Sequence, residues 1–242
     1  MTRQSTHNRS ERRSAWRTIA GLAVAVGVVC GIAGAVGSPA RAATRTKSSS
    51  IAGEAEQAVA ALDEWMQTQN PAGYVRFVQL RDQTATMTER DIELADGDLR
   101  SAWSAVSIAK QHAILSAVSQ LGVPYKYLTS EPGVGFDCSG LTIWAFGSAG
   151  VQIARSSRDQ INEAEPIEPT DAEAGDLVYY PGHVSIYLGA DTMVHSPNSG
   201  SHVEVGPVPS RSVRFGDAAP AVDRAVAAIV DSLVDRPLPV SQ

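Results

Sequence analysis

The chain has 242 residues, with 20 basic and 26 acidic side chains and a formal net charge of −6. That length allows one compact domain with additions or two small ones. An acidic chain with no basic stripe excludes nucleic acid and an anionic membrane surface as natural partners.

The amino terminus reads as an export segment. Arg12, Arg13 and Arg17 precede an apolar and glycine run from Ile19 to Val36, followed by Ser38, Pro39 and Ala40-Arg41-Ala42. A basic start, an apolar middle and small residues two apart describe a secretory signal peptide over residues 1–42, cut after Ala42. An uncleaved membrane anchor is the alternative, and Arg12-Arg13 also fits a twin-arginine signal. Cleavage would remove six basic residues and one acid, leaving 14 and 25 and a net charge of −11. The expected location is therefore secreted or in the cell envelope, with no stable membrane association once the signal is gone.

Of the two cysteines, Cys30 lies within the apolar run, where the branched Val29 before it argues against lipid attachment. Cys138 is then left unpaired in an exported protein, as an inert buried residue or as a reactive thiol.

Residues 44–50 read as a polar linker. From Ile51 the spacing predicts three helical stretches. The first carries Val59, Leu62 and Met66 and is broken at Asn70-Pro71. The second carries Phe77, Leu80, Thr84 and Met87 and ends near Asp96-Gly97. The third runs from Asp98 to Leu121 with Trp103, Val106, Ile114 and Val118 on its apolar face. A stalk, a partner-binding hairpin and an inhibitory cover over a groove are the open readings of residues 51–104.

After Gly122 the texture changes to short alternating runs: Leu177 to Tyr180, Val184 to Leu188, Met193 to His195 and Val203 to Val205. One helix, between Cys138 and Gly150, interrupts them. Helices followed by antiparallel strands predict an α+β fold. Residues 215–242 form a tail with an Ala/Val-rich stretch that can be helical.

Asp137 is a good helix N-cap, which puts Cys138 at the first residue of that helix. The dipole and free N–H groups there favour a thiolate and can cradle an oxyanion. A thiol nucleophile needs an imidazole beside it and a group to orient that imidazole. His112 lies within a helix and reads as a packing or surface residue, and His202 as an exposed loop residue. His183 opens one strand and His195 ends the next, so neighbouring antiparallel strands can bring their rings side by side. One cysteine and two histidines without tight ligand spacing argue against a metal site.

The motifs Leu121-Gly-Val-Pro-Tyr125, Gly135-Phe-Asp-Cys-Ser-Gly-Leu141, Ala149-Gly-Val151, Arg155-Ser-Ser157 with Gln160, Gly175-Asp-Leu-Val178, His183-Val-Ser-Ile-Tyr-Leu-Gly189 and Met193-Val-His-Ser-Pro197 occur in one order. In that order and spacing, residues 105–214 resemble the NlpC family of papain-like cysteine peptidases, which cleave peptidoglycan stem peptides. The resemblance implies a papain-like domain, N-terminal helices on an antiparallel sheet, preceded here by the helical segment 43–104. It implies Cys138 as nucleophile, His183 as base and acid, His195 as its orienting partner and Tyr125 in the oxyanion hole. Asp137, Ser139, Arg155 and Ser157 match groove-lining positions. The implied substrate bond joins D-glutamate to a diamino acid, with no metal or cofactor required. The chain departs from the family at Leu128-Thr129, where two glycines are usual. An amidase or transpeptidase using the same chemistry, and a silent wall-binding module, are the rival readings.

Overall fold

A computed structural model describes residues 39–220. The expected signal peptide up to residue 38 and the tail helix lie outside the described residues. Among the described residues, no helix is long and apolar enough to cross a membrane.

Helix α1 spans Pro39–Thr68 and α2 spans Pro71–Asp91. The expected linker at residues 44–50 is helical instead. With Ile51, Ala55, Ala58 and Leu62 buried in the turns that follow, this polar segment extends a helix already nucleated, one bond per residue fixed. The buried stripe of α1 also differs from expectation, since Met66 is exposed and alanines fill the contact. Alanine packs where two helices approach closely, and hydropathy patterns undervalue it. Asn70 accepts a bond from the Ala72 N–H, and Pro71 starts α2 at the position where a missing N–H costs nothing.

The expected helix from 98 to 121 is two helices, α3 (Asp98–Ala105) and α4 (Ile108–Val118). Val106 is extended, and the Ser107 hydroxyl accepts from the Lys110 N–H, so a second N-cap restarts the helix at the break. Glu89 of α2 caps α3 from outside, accepting from the N–H groups of Leu99 (2.6 Å) and Arg100 (3.1 Å).

A two-stranded ribbon follows, β1 (Ser130–Glu131) with β2 (Gly135–Phe136), leading into α5 (Cys138–Ser148). Next come α6 (Ser157–Glu163) and the strands β3 (Glu165–Ile167), β4 (Leu177–Tyr180), β5 (His183–Gly189), β6 (Thr192–His195), β7 (Glu204–Pro207) and β8 (Arg214–Asp217). The strands β3 to β8 form one antiparallel sheet in the order β3-β8-β4-β5-β6-β7. The chain is α+β, as its sequence pattern predicts.

Helix α4 lies between α1, α5 and the sheet, with every residue from Ala109 to Val118 buried. Its polar side chains are accordingly paired. His112 bonds Asp63 of α1 at 3.0 Å and Ser116 at 3.2 Å, so it is a packing residue. Lys110 reaches Asp176 at 3.0 Å and Asp217 at 3.6 Å, tying the helix to the sheet. Leu62, Phe77, Trp103, Leu141 and Val194 belong to one continuous core, and the Trp103 indole donates to the Leu188 carbonyl of β5 at 2.9 Å. Segment 51–104 thus shares its interior with the sheet.

Candidate active site

Cys138 occupies the first position of α5 because of Asp137. The Asp137 carboxylate accepts from the Gly140 N–H at 2.6 Å, capping the helix, and from the Leu128 N–H at 2.8 Å. Its backbone N–H donates to the Thr129 carbonyl at 3.0 Å. The preceding loop is pressed so closely onto the first turn that a Cβ at Gly140 would lie 2.0 Å from the Thr129 oxygen. Only glycine fits there. Leu128, standing where the family usually has glycine, adopts a left-handed φ of 57° with its side chain in solvent.

Arg155 completes this support, holding Asp137 at 2.8 Å and the Ser139 hydroxyl at 2.8 Å. Asp137 and Ser139 are 5% and 7% exposed. Both are already engaged, and what they do in this structure is brace the helix start. Ser157, half-buried, opens α6 behind its N-cap Ser156. Asp137→Ala removes a cap, an ion-pair partner and the acceptor for Leu128 together. Arg155 keeps contact with water, which discounts the charge left behind, so the expected loss of stability is about 2 to 4 kcal/mol in chemical denaturation. Asp137→Asn, which keeps the cap, should lose less than half of that.

The two strand histidines meet. His183 Nε2 and His195 Nδ1 are 3.0 Å apart with the rings perpendicular. Both imidazoles are buried, at 5% and 8% exposure. Beyond them, His195 Nε2 lies 3.8 Å from Glu204, its register partner on β7. His202 is exposed and 4.0 Å from the other Glu204 oxygen. The buried Ser196 hydroxyl donates to the Phe136 carbonyl at 2.8 Å, fastening the end of β6 to the residues before Cys138.

Cys138 is half-exposed while its neighbours are buried. Helix α5 packs against β5, and the backbone N–H groups of Val184 and Ser139 are directed at the sulfur. Burial nevertheless pushes the thiol up, with those N–H groups opposing the rise and the Asp137 charge adding to it. Burial, then the charges of His195 and Arg211, push His183 down to about 4. Burial alone takes His195 to about 4 as well. Both shifts favour the uncharged forms of the thiol and of the imidazole. Desolvation thus opposes the thiolate that the helix end and its N–H groups favour.

Tyr125 is placed by backbone bonds from its N–H to the Ser201 carbonyl at 2.9 Å and a bridge to Phe136. Its hydroxyl is held up by burial and then by the Cys138 charge, so it stays protonated and able to donate.

Sequence reasoning missed Tyr180, Glu204 and Arg211. Tyr180 ends β4 opposite His183, and its ring stacks on that imidazole at 4.9 Å. The two-residue turn Pro181-Gly182 between them was the available signal. Arg211 stacks in turn on Tyr180, at 3.9 Å from the ring centre. It lies in irregular chain, where no pattern marks it.

The NlpC/P60 family model matches residues 122–214. The chain is 40% identical over 116 residues to the peptidoglycan endopeptidase RipB of Mycobacterium tuberculosis, an alignment covering 41% of this chain and 48% of RipB. It thus spans about half of RipB's length. With a probable endopeptidase of Corynebacterium glutamicum the identity is 31% over 198 residues, covering 80% of this chain and 89% of the relative. Among solved structures, the P60 domain of an M. avium subspecies paratuberculosis antigen matches with a TM-score of 0.43 and 32% identity, over 46% of this chain and 94% of that one.

Proposed function

The chain belongs to the NlpC/P60 family, and on that premise we propose that it is an exported peptidoglycan hydrolase that cuts stem-peptide amide bonds through a thioester on Cys138. The observation that carries the proposal is Cys138 at the start of α5, set against the strand that begins with His183, whose ring is held 3.0 Å from His195.

In the proposed reaction His183 takes the thiol proton as the sulfur attacks the amide carbonyl. His183 Nε2–H donates to His195 Nδ1, leaving Nδ1 of His183 as the basic nitrogen. His195 then carries its own proton on Nε2, towards Glu204, which fixes the tautomer and favours the transient imidazolium. The Tyr125 hydroxyl and the Cys138 N–H receive the developing oxyanion. His183 returns its proton to the leaving amine, and the thioester remains. Water, deprotonated by His183, attacks the thioester and frees the acid. The bond proposed is that between D-glutamate and the diamino acid, and none of these steps calls for a metal.

Tyr125→Phe tests the oxyanion role. Loss of one such donor should lower kcat about 100-fold with little change in KM, and an unchanged kcat would reduce Tyr125 to a packing residue. The reaction itself is tested by mass analysis of purified wall digested with wild type beside Cys138→Ala. New D-glutamyl and diamino-acyl ends, absent with the variant, are the expected result. Free sugar-lactyl ends would make the enzyme an amidase, and newly joined peptides a transpeptidase. No product from folded wild type would leave a silent wall-binding module.

A further inference from the structure

The stack beyond the base has its own chemistry. Tyr180 lies flat on His183, with 23° between the rings, and the Arg211 guanidinium lies over the Tyr180 ring at 3.9 Å from its centre. Three arginines near the core are engaged by polar partners: Arg155 by Asp137, Arg81 by Asp82, Arg214 by Asn162. Arg211 is exposed, and among the described residues no carboxylate pairs with it. Arg211 also donates towards the Tyr180 hydroxyl, and stacking by its face leaves the rest of the in-plane N–H fork free. That fork matches a carboxylate in two parallel hydrogen bonds.

We propose that Arg211, oriented by Tyr180, forms a carboxylate-binding subsite for the leaving-amine part of the substrate. The side follows from the reaction proposed above, on which this inference rests. His183 delivers its proton to the leaving amine, so groups stacked on its ring flank the segment that departs. In a chain with net charge −6, an anionic substrate needs a local cation to approach at all. The arrangement also bears on the base. Arg211 is one of the charges that lower His183, and a bound carboxylate would cancel that influence, restoring proton affinity only when the right substrate is present.

The test uses two synthetic tripeptides, L-alanyl-γ-D-glutamyl-diamino acid, identical except that the diamino acid bears a side-chain carboxylate or its carboxamide. Binding of each is measured by calorimetry to the full chain carrying Cys138→Ala, with and without Arg211→Gln. The carboxylate peptide should bind about 10-fold more tightly than the amide, and Arg211→Gln should bring that ratio close to one. Equal loss for both peptides would mark Arg211 as merely structural and overturn the subsite. So would an unchanged ratio, or no binding of either peptide. Turnover of the same pair by chains that retain Cys138 separates the two ideas. Discrimination in binding without cleavage would keep the subsite and remove the hydrolase reading. Cleavage with equal kcat/KM for the pair would do the reverse.

Discussion

Replacing Cys138 with alanine is expected to lower the rate of stem-peptide hydrolysis by at least about 10,000-fold, leaving what orientation and oxyanion binding achieve without a nucleophile. The fold should survive the change. Cys138 is half-exposed at a helix end, and the cap that starts α5 belongs to Asp137. The shortened side chain should therefore cost under about 1 kcal/mol, checked by denaturant unfolding. Loss of activity with intact stability separates chemistry from structure here. Cys138→Ser should be nearly as inactive, because a hydroxyl beside a weakly basic imidazole is a far poorer nucleophile than a thiol. Substantial wall lysis by either folded variant would remove the thioester from the mechanism.

His183→Ala is expected to be about as damaging, and the pH profile says why. An imidazole pushed down to about 4 is neutral, and able to accept a proton, at every pH well above that value. The thiol, pushed up by burial, keeps its proton through the neutral range. Values of kcat/KM for wild type should thus rise with pH through a limb near 4 and hold level to at least about pH 8. A preformed thiolate–imidazolium pair would place its acid limb at the thiol and lose activity as the imidazolium deprotonates. A profile already falling between pH 6.5 and 8 would refute the neutral pair. The same shift acts on stability. Both imidazoles drop from 6.5 to about 4 on folding, so below 6.5 the unfolded chain takes up protons that the folded chain refuses. Stability is whole above 6.5 and drains away as pH falls towards 4. Thermal melting across that interval reads the effect directly, and His195→Asn should flatten it.

Glu204 illustrates how the strands extend the site past the three side chains that a motif names. Its register opposite His195 puts a carboxylate at the outer end of the imidazole pair. Neither residue is near the other in sequence type or spacing, and only pairing of β6 with β7 makes them neighbours.

Local chemistry was readable because it is set within a turn or a strand. Asp137 caps whatever helix follows it, so Cys138 had to fall at the first position. The alternation from Val184 to Leu188 had to make a half-buried strand with His183 at its mouth. The break at Ser107 was less visible, since apolar periodicity runs on across it while a single hydroxyl restarts the helix. The buried face of α1 was misjudged in part for a related reason: close helix contact selects Ala55 and Ala58 over larger residues such as Met66.

The sequence by itself determined the α+β order, the nucleophile's helix end and the two histidines on successive strands, because backbone hydrogen bonding and side-chain period act over a few residues. Tertiary structure alone decided how far the thiol and the imidazoles are desolvated, the Tyr180–Arg211 stack and the place of Glu204. Desolvation depends on everything packed around a group, and strand register depends on partners far along the chain, neither of which a linear pattern carries.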